Sequence, residues 1–458
     1  MEKTGFIEEL KRNVKGELLI GEAIPEKFLT DFVGALKGRA DVYLKAADRE
    51  DIVSAVRAAY RFGASVVVRS GGTNLVGSTV PDGGLVLDVS GLNRILEFDR
   101  DNLTITVEPG VVLRDLIAFV EARGLMYPPD PAEKLGTIGG NVSTNAGGMR
   151  AVKYGVTRDY VLSLELVTPS GEIVALGAKV RKDTSGLNLK QLVIGSEGTL
   201  GVITEVTLRL VPLPEFSESV LLAFGSLDEG VRCVNAVIKA NLDPTAIEFQ
   251  EKKVIALGER YIGKEFPLPQ ASAYLVVTLD GKKEEVAQRL QKLLSLAGEK
   301  GAIGTLTLDD PETAKTVWEI RGALARAVDA AGVWEPVDSV VPIARISDFV
   351  GAVDKISREE KVRIVAFGHA GDGNVHLCVI RDQIPESSWP DVLNRTLSLI
   401  YQKVYELGGR LSGEHGIGKG KRRYFLACAN PLERRLMNEV KRAIDTRGIF
   451  NPHDGYCD

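Results

Sequence analysis

The 458-residue sequence is 44% hydrophobic and 26% charged, the balance of a soluble globular protein and long enough for two or three domains with sizeable cores. Its formal net charge of −5 argues against a broad nucleic-acid-binding surface. No apolar run reaches the ~18–20 residues that span a bilayer. The N-terminal stretch, MEKTGFIEELKRNVKG, mixes acids and bases without the apolar core of a signal peptide, so the expectation is a cytoplasmic protein. The cysteines, Cys233, Cys378, Cys428 and Cys457, form no C-x2-C pair, which argues against a disulfide framework and an iron–sulfur cluster in this chain.

Residues 1–36 read as a helical segment with loose periodicity through Leu10, Ile20, Phe28, Phe32, Val33 and Leu36. Residues 48–62 predict an amphipathic helix, with Asp48 as N-cap and Gly63 as its stop. Ser65–Val68, 85–89 and 103–107 read as strands, and 113–123 as a helix ending at Gly124. Three segments rich in glycine and small polar residues stand between such elements. The first is Arg69-Ser70-Gly71-Gly72-Thr73-Asn74-Leu75-Val76-Gly77, followed by Ser78. It joins strand to strand, so it is a weak Rossmann signal, yet its amides and the Thr73 and Asn74 side chains suit a pyrophosphate nest. The second, 128–148, reads PPDPAEKLGTIGGNVSTNAGG and predicts a long ordered functional loop, whose small residues let a flat ligand approach the backbone. The third is 195–204, GSEGTLGVIT. Strands are expected at 161–168, 172–176 and 206–210. Pro212 and Pro214 then mark a boundary near 214.

Beyond it the pattern alternates strands at 219–224, 245–249, 272–279, 303–308, 337–341, 362–367 and 375–380 with helices at 227–240, 283–299, 311–330, 345–359, 390–407 and 431–446. This predicts an α+β domain with an antiparallel sheet covered on one face. All four histidines, His369, His376, His415 and His453, fall after residue 368. Two lie in GHAGDGNVH over 368–376, and His415 in SGEHGIG over 412–418. Histidine is the side chain best suited to proton transfer near neutral pH and to transition-metal binding. Concentrating three of them in two glycine-rich loops predicts one active site.

The glycine-rich segments, in this order, resemble the flavin domain of the vanillyl-alcohol oxidase/p-cresol methylhydroxylase (PCMH) superfamily. The two histidine motifs resemble its D-2-hydroxy acid dehydrogenase branch, which includes D-lactate dehydrogenases, D-2-hydroxyglutarate dehydrogenases and the catalytic subunit of glycolate oxidase. The resemblance runs from about 40 to 452. It implies an α+β fold with a two-subdomain PCMH-type FAD-binding domain over 37–214. A substrate (cap) domain with an antiparallel sheet and a metal site follows over 215–446, and a C-terminal tail, 447–458, returns to the FAD domain. It implies FAD contacts from Arg69, Ser70, Gly71, Gly72, Thr73, Asn74, Leu75, Gly77 and Ser78. Further contacts are implied from Pro129, Gly136, Thr137, Gly139, Gly140, Ser143, Asn145, Gly147 and Gly148, then from Glu197, Gly198, Gly201, Val202, Ile203 and, in the tail, Asn451. His453 stands where the family commonly has glycine. Some members of the superfamily bind FAD covalently through histidine. None precedes His369, so non-covalent FAD is expected.

The resemblance makes His369, His376 and Glu414 the ligands of a divalent metal, with Zn, Mn and Fe equally compatible. Two imidazoles and a carboxylate with open positions suit a catalytic ion. A 2-hydroxy acid could chelate it through the hydroxyl and one carboxylate oxygen. The ion lowers the hydroxyl pKa, His415 takes the proton, and hydride leaves C2 for the flavin. Arg321 matches the family's carboxylate-binding position, and arginine's planar fork suits that task; Arg326 is its neighbour and competitor. Asp372 and Asn374 are expected to shape the turn, and Lys419 and Lys421 to form a solvated basic cluster. Relatives acting on D-2-hydroxyglutarate tend to carry asparagine two positions after the second metal histidine. Cys378 stands there, which favours a small acid: D-lactate first, glycolate next. A non-redox enzyme of the alkyl-glycerone-phosphate synthase type shares the architecture but carries a run of consecutive histidines absent here. Without iron–sulfur ligands of its own, the chain is expected to pass electrons to an electron-transferring flavoprotein, an iron–sulfur subunit or a quinone. A homo-oligomer is compatible with the sequence.

Overall fold

A computed structural model describes residues 3–32, 34, 36–452 and 454–456; Val33, His453 and Cys457 lie outside the described residues. The chain divides into two compact units. The first comprises the residues up to Gly147, Val156–Leu213, and the residues from Glu414 onward. The second comprises Gly148–Gly155 and Pro214–Gly413.

In the first unit, four strands form a sheet in the order Glu17–Ile20, Val42–Lys45, Leu85–Asp88 and Val66–Arg69. The first pair is antiparallel and the others are parallel. The segment expected to be helical over 1–36 therefore supplies a helix, Lys3–Asn13, and then an edge strand. Helix Arg49–Phe62 lies on this sheet and buries Ile52, Ala55, Val56 and Ala59. Asp48 caps it by accepting from the Asp51 amide, and Gly63 ends it in the left-handed region at φ 64°. That geometry matches the capping signals in the sequence. A second, antiparallel sheet runs in the order Ile95–Asp99, Thr104–Val107, Val202–Arg209, Val161–Val167 and Ile173–Gly177.

The C-terminal residues belong to the first unit from Glu414, not from 447. Buried contacts explain why. The Lys441 ammonium donates to the carbonyls of Thr199 (2.6 Å) and Phe450 (2.7 Å) and to Asp445 Oδ2 (2.6 Å). Phe450 pairs beside Val66 and is fully buried in the same core as helix Arg49–Phe62.

The second unit is built on a seven-stranded antiparallel sheet. Its order is Ala302–Thr307, Phe216–Phe224, Ala273–Gly281, Ala246–Glu251, Arg363–His369, Asn374–Ile380 and Trp334–Val340. Helices Lys252–Ile262 and Pro311–Asp329 bury Val254, Ile255, Leu257, Val317, Ile320 and Leu324 in one core with Val365, Phe367 and Cys378. The segment Gly148–Gly155 joins this unit through Lys153, which contacts Asp280 (2.7 Å) and Asp243 (2.8 Å), and Tyr154, which donates to Asp280. This is an α+β architecture of two units, each built on β-sheet and helix.

Candidate functional site

The glycine-rich segments converge on one cleft in the first unit. Arg69–Leu75, Ser78, Gly136, Thr137, Gly139, Gly140, Ser143, Glu197, Gly198, Gly201 and Ile203 line it. Gly77, Pro129, Asn145, Gly147, Val202 and Asn451 are not part of this lining, and Gly148 belongs to the second unit. The Arg69 guanidinium does not project as a phosphate ligand would. It donates to the carbonyls of Lys27 (2.9 Å) and Thr30 (3.2 Å), and its desolvation lowers its pKa.

Part of the expected loop 128–148 is a short helix, Ile138–Thr144. Its two glycines conceal it, because each costs about 1 kcal/mol relative to alanine in a helix interior. Burial of Ile138 and Val142 offsets that cost. A Cβ on Gly139 would lie 2.5 Å from the Pro109 side chain, so this turn can approach Pro109 only with glycine there. Asn141 also lines the cleft and was not singled out by the sequence reading.

Glu197 ties the cleft to the C-terminal segments. Its carboxylate accepts from Ser78 Oγ (2.5 Å) and from the amides of Ile417 (2.8 Å) and Gly418 (2.9 Å). Asn451 Nδ2 donates to the carbonyls of Ser78 (3.1 Å) and Glu197 (2.7 Å). Burial, followed by the nearby Glu197 charge, pushes the Asp454 carboxyl well above the usual range. Lys419 donates to the Val80 carbonyl, and Lys421 is buried, so neither lies in a solvated basic cluster.

The cleft fits a dinucleotide. Ser70 Oγ, Thr137 Oγ1 and Asn141 Nδ2 are buried there without a hydrogen-bond partner. Such orphaned groups cost about 1–3 kcal/mol each when unsatisfied. Oxygen-rich phosphates and ribityl hydroxyls would satisfy them, and the glycines leave backbone amides accessible. Glu414 and His415 belong to the wall of this cleft, with His415 Nε2 3.8 Å from Glu414 Oε1. A reading of the flavin domain that stops at 214 therefore omits a histidine that the unit contains.

In the second unit, hairpin strands Arg363–His369 and Asn374–Ile380 place the His369 and His376 rings edge to face, 5.1 Å between centroids. The turn is held by Asp372, whose Oδ1 accepts from the Asn374 amide at 3.0 Å. Asn374 Nδ2 donates to Asp338 Oδ1 at 2.8 Å. The register Glu248↔His369 brings Glu248 beside the first histidine. Glu248 is fully buried, and its Oε1 lies 2.5 Å from His369 Nδ1. Its Oε2 accepts from Arg321 Nε (3.0 Å) and from Nη2. Burial alone would raise the Glu248 pKa, but its contacts with His369 and the Arg321 guanidinium outweigh it and hold the carboxyl at about 2. The sequence reading missed Glu248. Its signal was an acid in the otherwise apolar first half of strand Ala246–Glu251. The histidine arrangement suits a metal: Nδ1 bonded to a carboxylate leaves Nε2 as the coordinating nitrogen. Arg326 takes no part in the Glu248 network.

Cys378 is 1% exposed and packs among Val365, Phe367 and Ile380. Burial drives its thiol pKa far upward. Its environment is apolar core, so the choice of a small acid does not rest on it.

A family model described as the C-terminal domain of FAD linked oxidases matches residues 213–454, and an FAD binding domain model matches residues 40–177. The chain is 39% identical over 456 residues to a D-lactate dehydrogenase of Anaerostipes hadrus, covering 98% of this chain and 96% of that protein. It is 38% identical over 393 residues to the glycolate oxidase subunit GlcD of Bacillus subtilis, covering 84% and 83%. Among solved structures, the 4-ethylphenol oxidase from Gulosibacter chungangensis shares the fold with a TM-score of 0.78 at 18% identity, covering 100% of this chain and 98% of that one. Cleft, cofactor-shaped donors and sequence agree: the chain belongs to the FAD-linked oxidases, on the branch of the D-2-hydroxy acid dehydrogenases.

Proposed function

We propose that the protein oxidises a small D-2-hydroxy acid to the 2-oxo acid, with D-lactate as first choice and glycolate as second. The observation that carries this reading is His415 in the wall of the cleft that suits FAD. The D-lactate dehydrogenase and glycolate oxidase relatives support the choice of acids. FAD, held non-covalently, supplies a two-electron acceptor, and a divalent ion (Zn, Mn or Fe) supplies Lewis acidity toward the substrate hydroxyl. His369, His376 and Glu414 are the proposed metal ligands, on the strength of the sequence motifs. His415 takes the hydroxyl proton as the 2-oxo acid forms. Arg321 binds the substrate carboxylate. Glu248 occupies the Nε/Nη2 edge of its guanidinium, and the Nη1/Nη2 edge remains for a bidentate contact. An electron-transferring flavoprotein, an iron–sulfur subunit or a quinone serves as acceptor, and the site of action is the cytoplasm.

Steady-state dye reduction with D-lactate, L-lactate, glycolate and D-2-hydroxyglutarate tests the substrate. D-lactate is expected to give the highest kcat/KM. A clear preference for D-2-hydroxyglutarate would overturn the small-acid assignment. Under the same reading, His415→Ala lowers kcat by about 10²–10⁴-fold, and full activity in that variant would remove the base assignment.

A further inference from the structure

Glu248 has a burial and a set of partners that neither packing nor chain geometry requires. It sits at 0% exposure on a sheet strand, where a carboxylate is kept only by strong compensation. Both its oxygens are used. Oε1 meets His369 Nδ1, and Oε2 meets the Nε/Nη2 edge of Arg321. His369 sits opposite Glu248 in the strand register, and Arg321 reaches it from helix Pro311–Asp329. The Arg321 guanidinium is itself held over the Phe367 ring at 5.5 Å, and Phe367 is opposite His376 in the hairpin. One carboxylate thus fixes the orientation of two side chains with different tasks.

We infer that Glu248 is a positioning residue that sets metal affinity through His369 and substrate-carboxylate affinity through Arg321. For His369, a carboxylate on Nδ1 fixes the proton there and keeps the Nε2 lone pair for a cation. For Arg321, occupation of one edge of the fork turns the other edge toward an incoming carboxylate and spares the substrate the entropic cost of ordering the side chain. The pairing explains why a full negative charge is buried: both dependants carry or attract positive charge, and neither is anchored equally well by a neutral group. This inference rests on the proposed 2-hydroxy acid function.

The test compares wild type with Glu248→Gln in the full-length, FAD-loaded protein. After chelator treatment and dialysis, each is titrated with Zn²⁺ in a calorimeter, and KM and kcat are measured separately for the 2-hydroxy acid. A neutral amide can serve only one dependant well. Zn²⁺ affinity is expected to fall by about 10–100-fold, with KM rising more than kcat falls and FAD content unchanged. In an Arg321→Ala background, Glu248→Gln should still weaken Zn²⁺ binding but, with KM measured at saturating Zn²⁺, add no further rise in KM. A purely structural role would lower stability without this split. If Glu248→Gln does not fold, Glu248→Asp takes its place: the shortened carboxylate is expected to give intermediate losses of both affinities. Wild-type Zn²⁺ affinity and KM in a folded variant would overturn the inference. A wild-type protein that binds no divalent ion and oxidises no 2-hydroxy acid would instead overturn the functional reading beneath it.

Discussion

Replacing Lys441 with methionine removes one charge from the seam that holds the C-terminal residues to the cofactor cleft. The Lys441 side chain is 7% exposed and that of its partner Asp445 0%. It makes three hydrogen bonds, to the carbonyls of Thr199 and Phe450 and to Asp445. Methionine keeps most of the volume and strands the Asp445 carboxylate, which among the described residues retains only the Phe450 amide as donor, at 2.8 Å. Breaking a buried pair on one side costs about 3–5 kcal/mol, mostly through the charge left behind. At a urea slope of about 3 kcal/mol per molar, the midpoint should fall by roughly 1–1.7 M. The assay is a urea titration of the FAD-loaded protein followed by flavin fluorescence, since Thr199 belongs to the loop whose neighbours line the cleft. Asp445→Asn added to Lys441→Met removes the stranded charge and should restore part of the loss. A midpoint within about 0.3 M of wild type, under 1 kcal/mol at that slope, would refute the view that this ion pair anchors the tail.

Two further outcomes are expected. Gly72 has φ 69°, and a Cβ there would lie 2.3 Å from Arg69 Nη2. Gly72→Ala should cost about 1–2 kcal/mol, a 5–30-fold loss of FAD affinity by fluorescence titration of apoprotein, whereas Gly263→Ala, at φ 75° with nothing within 4 Å, should leave FAD affinity unchanged. Among the described cysteines, Cys233, whose thiol burial pushes up to about 11, and the core residue Cys378 should resist alkylation in the native protein, while the half-buried Cys428 reacts. Peptide mass spectrometry that found Cys378 modified as fast as Cys428 would contradict its placement in the core.

Much of this molecule is legible in its sequence where apolar periodicity and capping agree. Helix Arg49–Phe62 announces itself through Asp48, Gly63 and a regular apolar face, and the strands of the second unit through β-branched runs. Helix Lys252–Ile262 was not expected although its apolar face is regular; two other helices escaped because their stability comes from tertiary contact. Ile138–Thr144 contains two glycines and survives by burying Ile138 and Val142. Gly418–Cys428 opens on two glycines among lysines and arginines, and reads as a solvated basic loop until Lys421 is seen to be buried. The division of the chain at Gly413 was hidden for the same reason: nothing local tells Glu414 and the helices after it to join the first unit. The candidate site followed a similar rule. Glycine motifs marked the cleft because close backbone approach demands a particular residue. Glu248 was missed because one acid in a strand looks like any other until its register partner is known.

In the proposed reaction this chain couples oxidation of a 2-hydroxy acid to reduction of FAD that it binds itself. Anaerobic mixing of the purified FAD-loaded protein with D-lactate, without added nicotinamide cofactor, tests it in one step. Rapid loss of the visible flavin absorbance is expected, slowed in His415→Ala and absent with L-lactate. Flavin that stays oxidised with D-lactate, glycolate and D-2-hydroxyglutarate alike would contradict it.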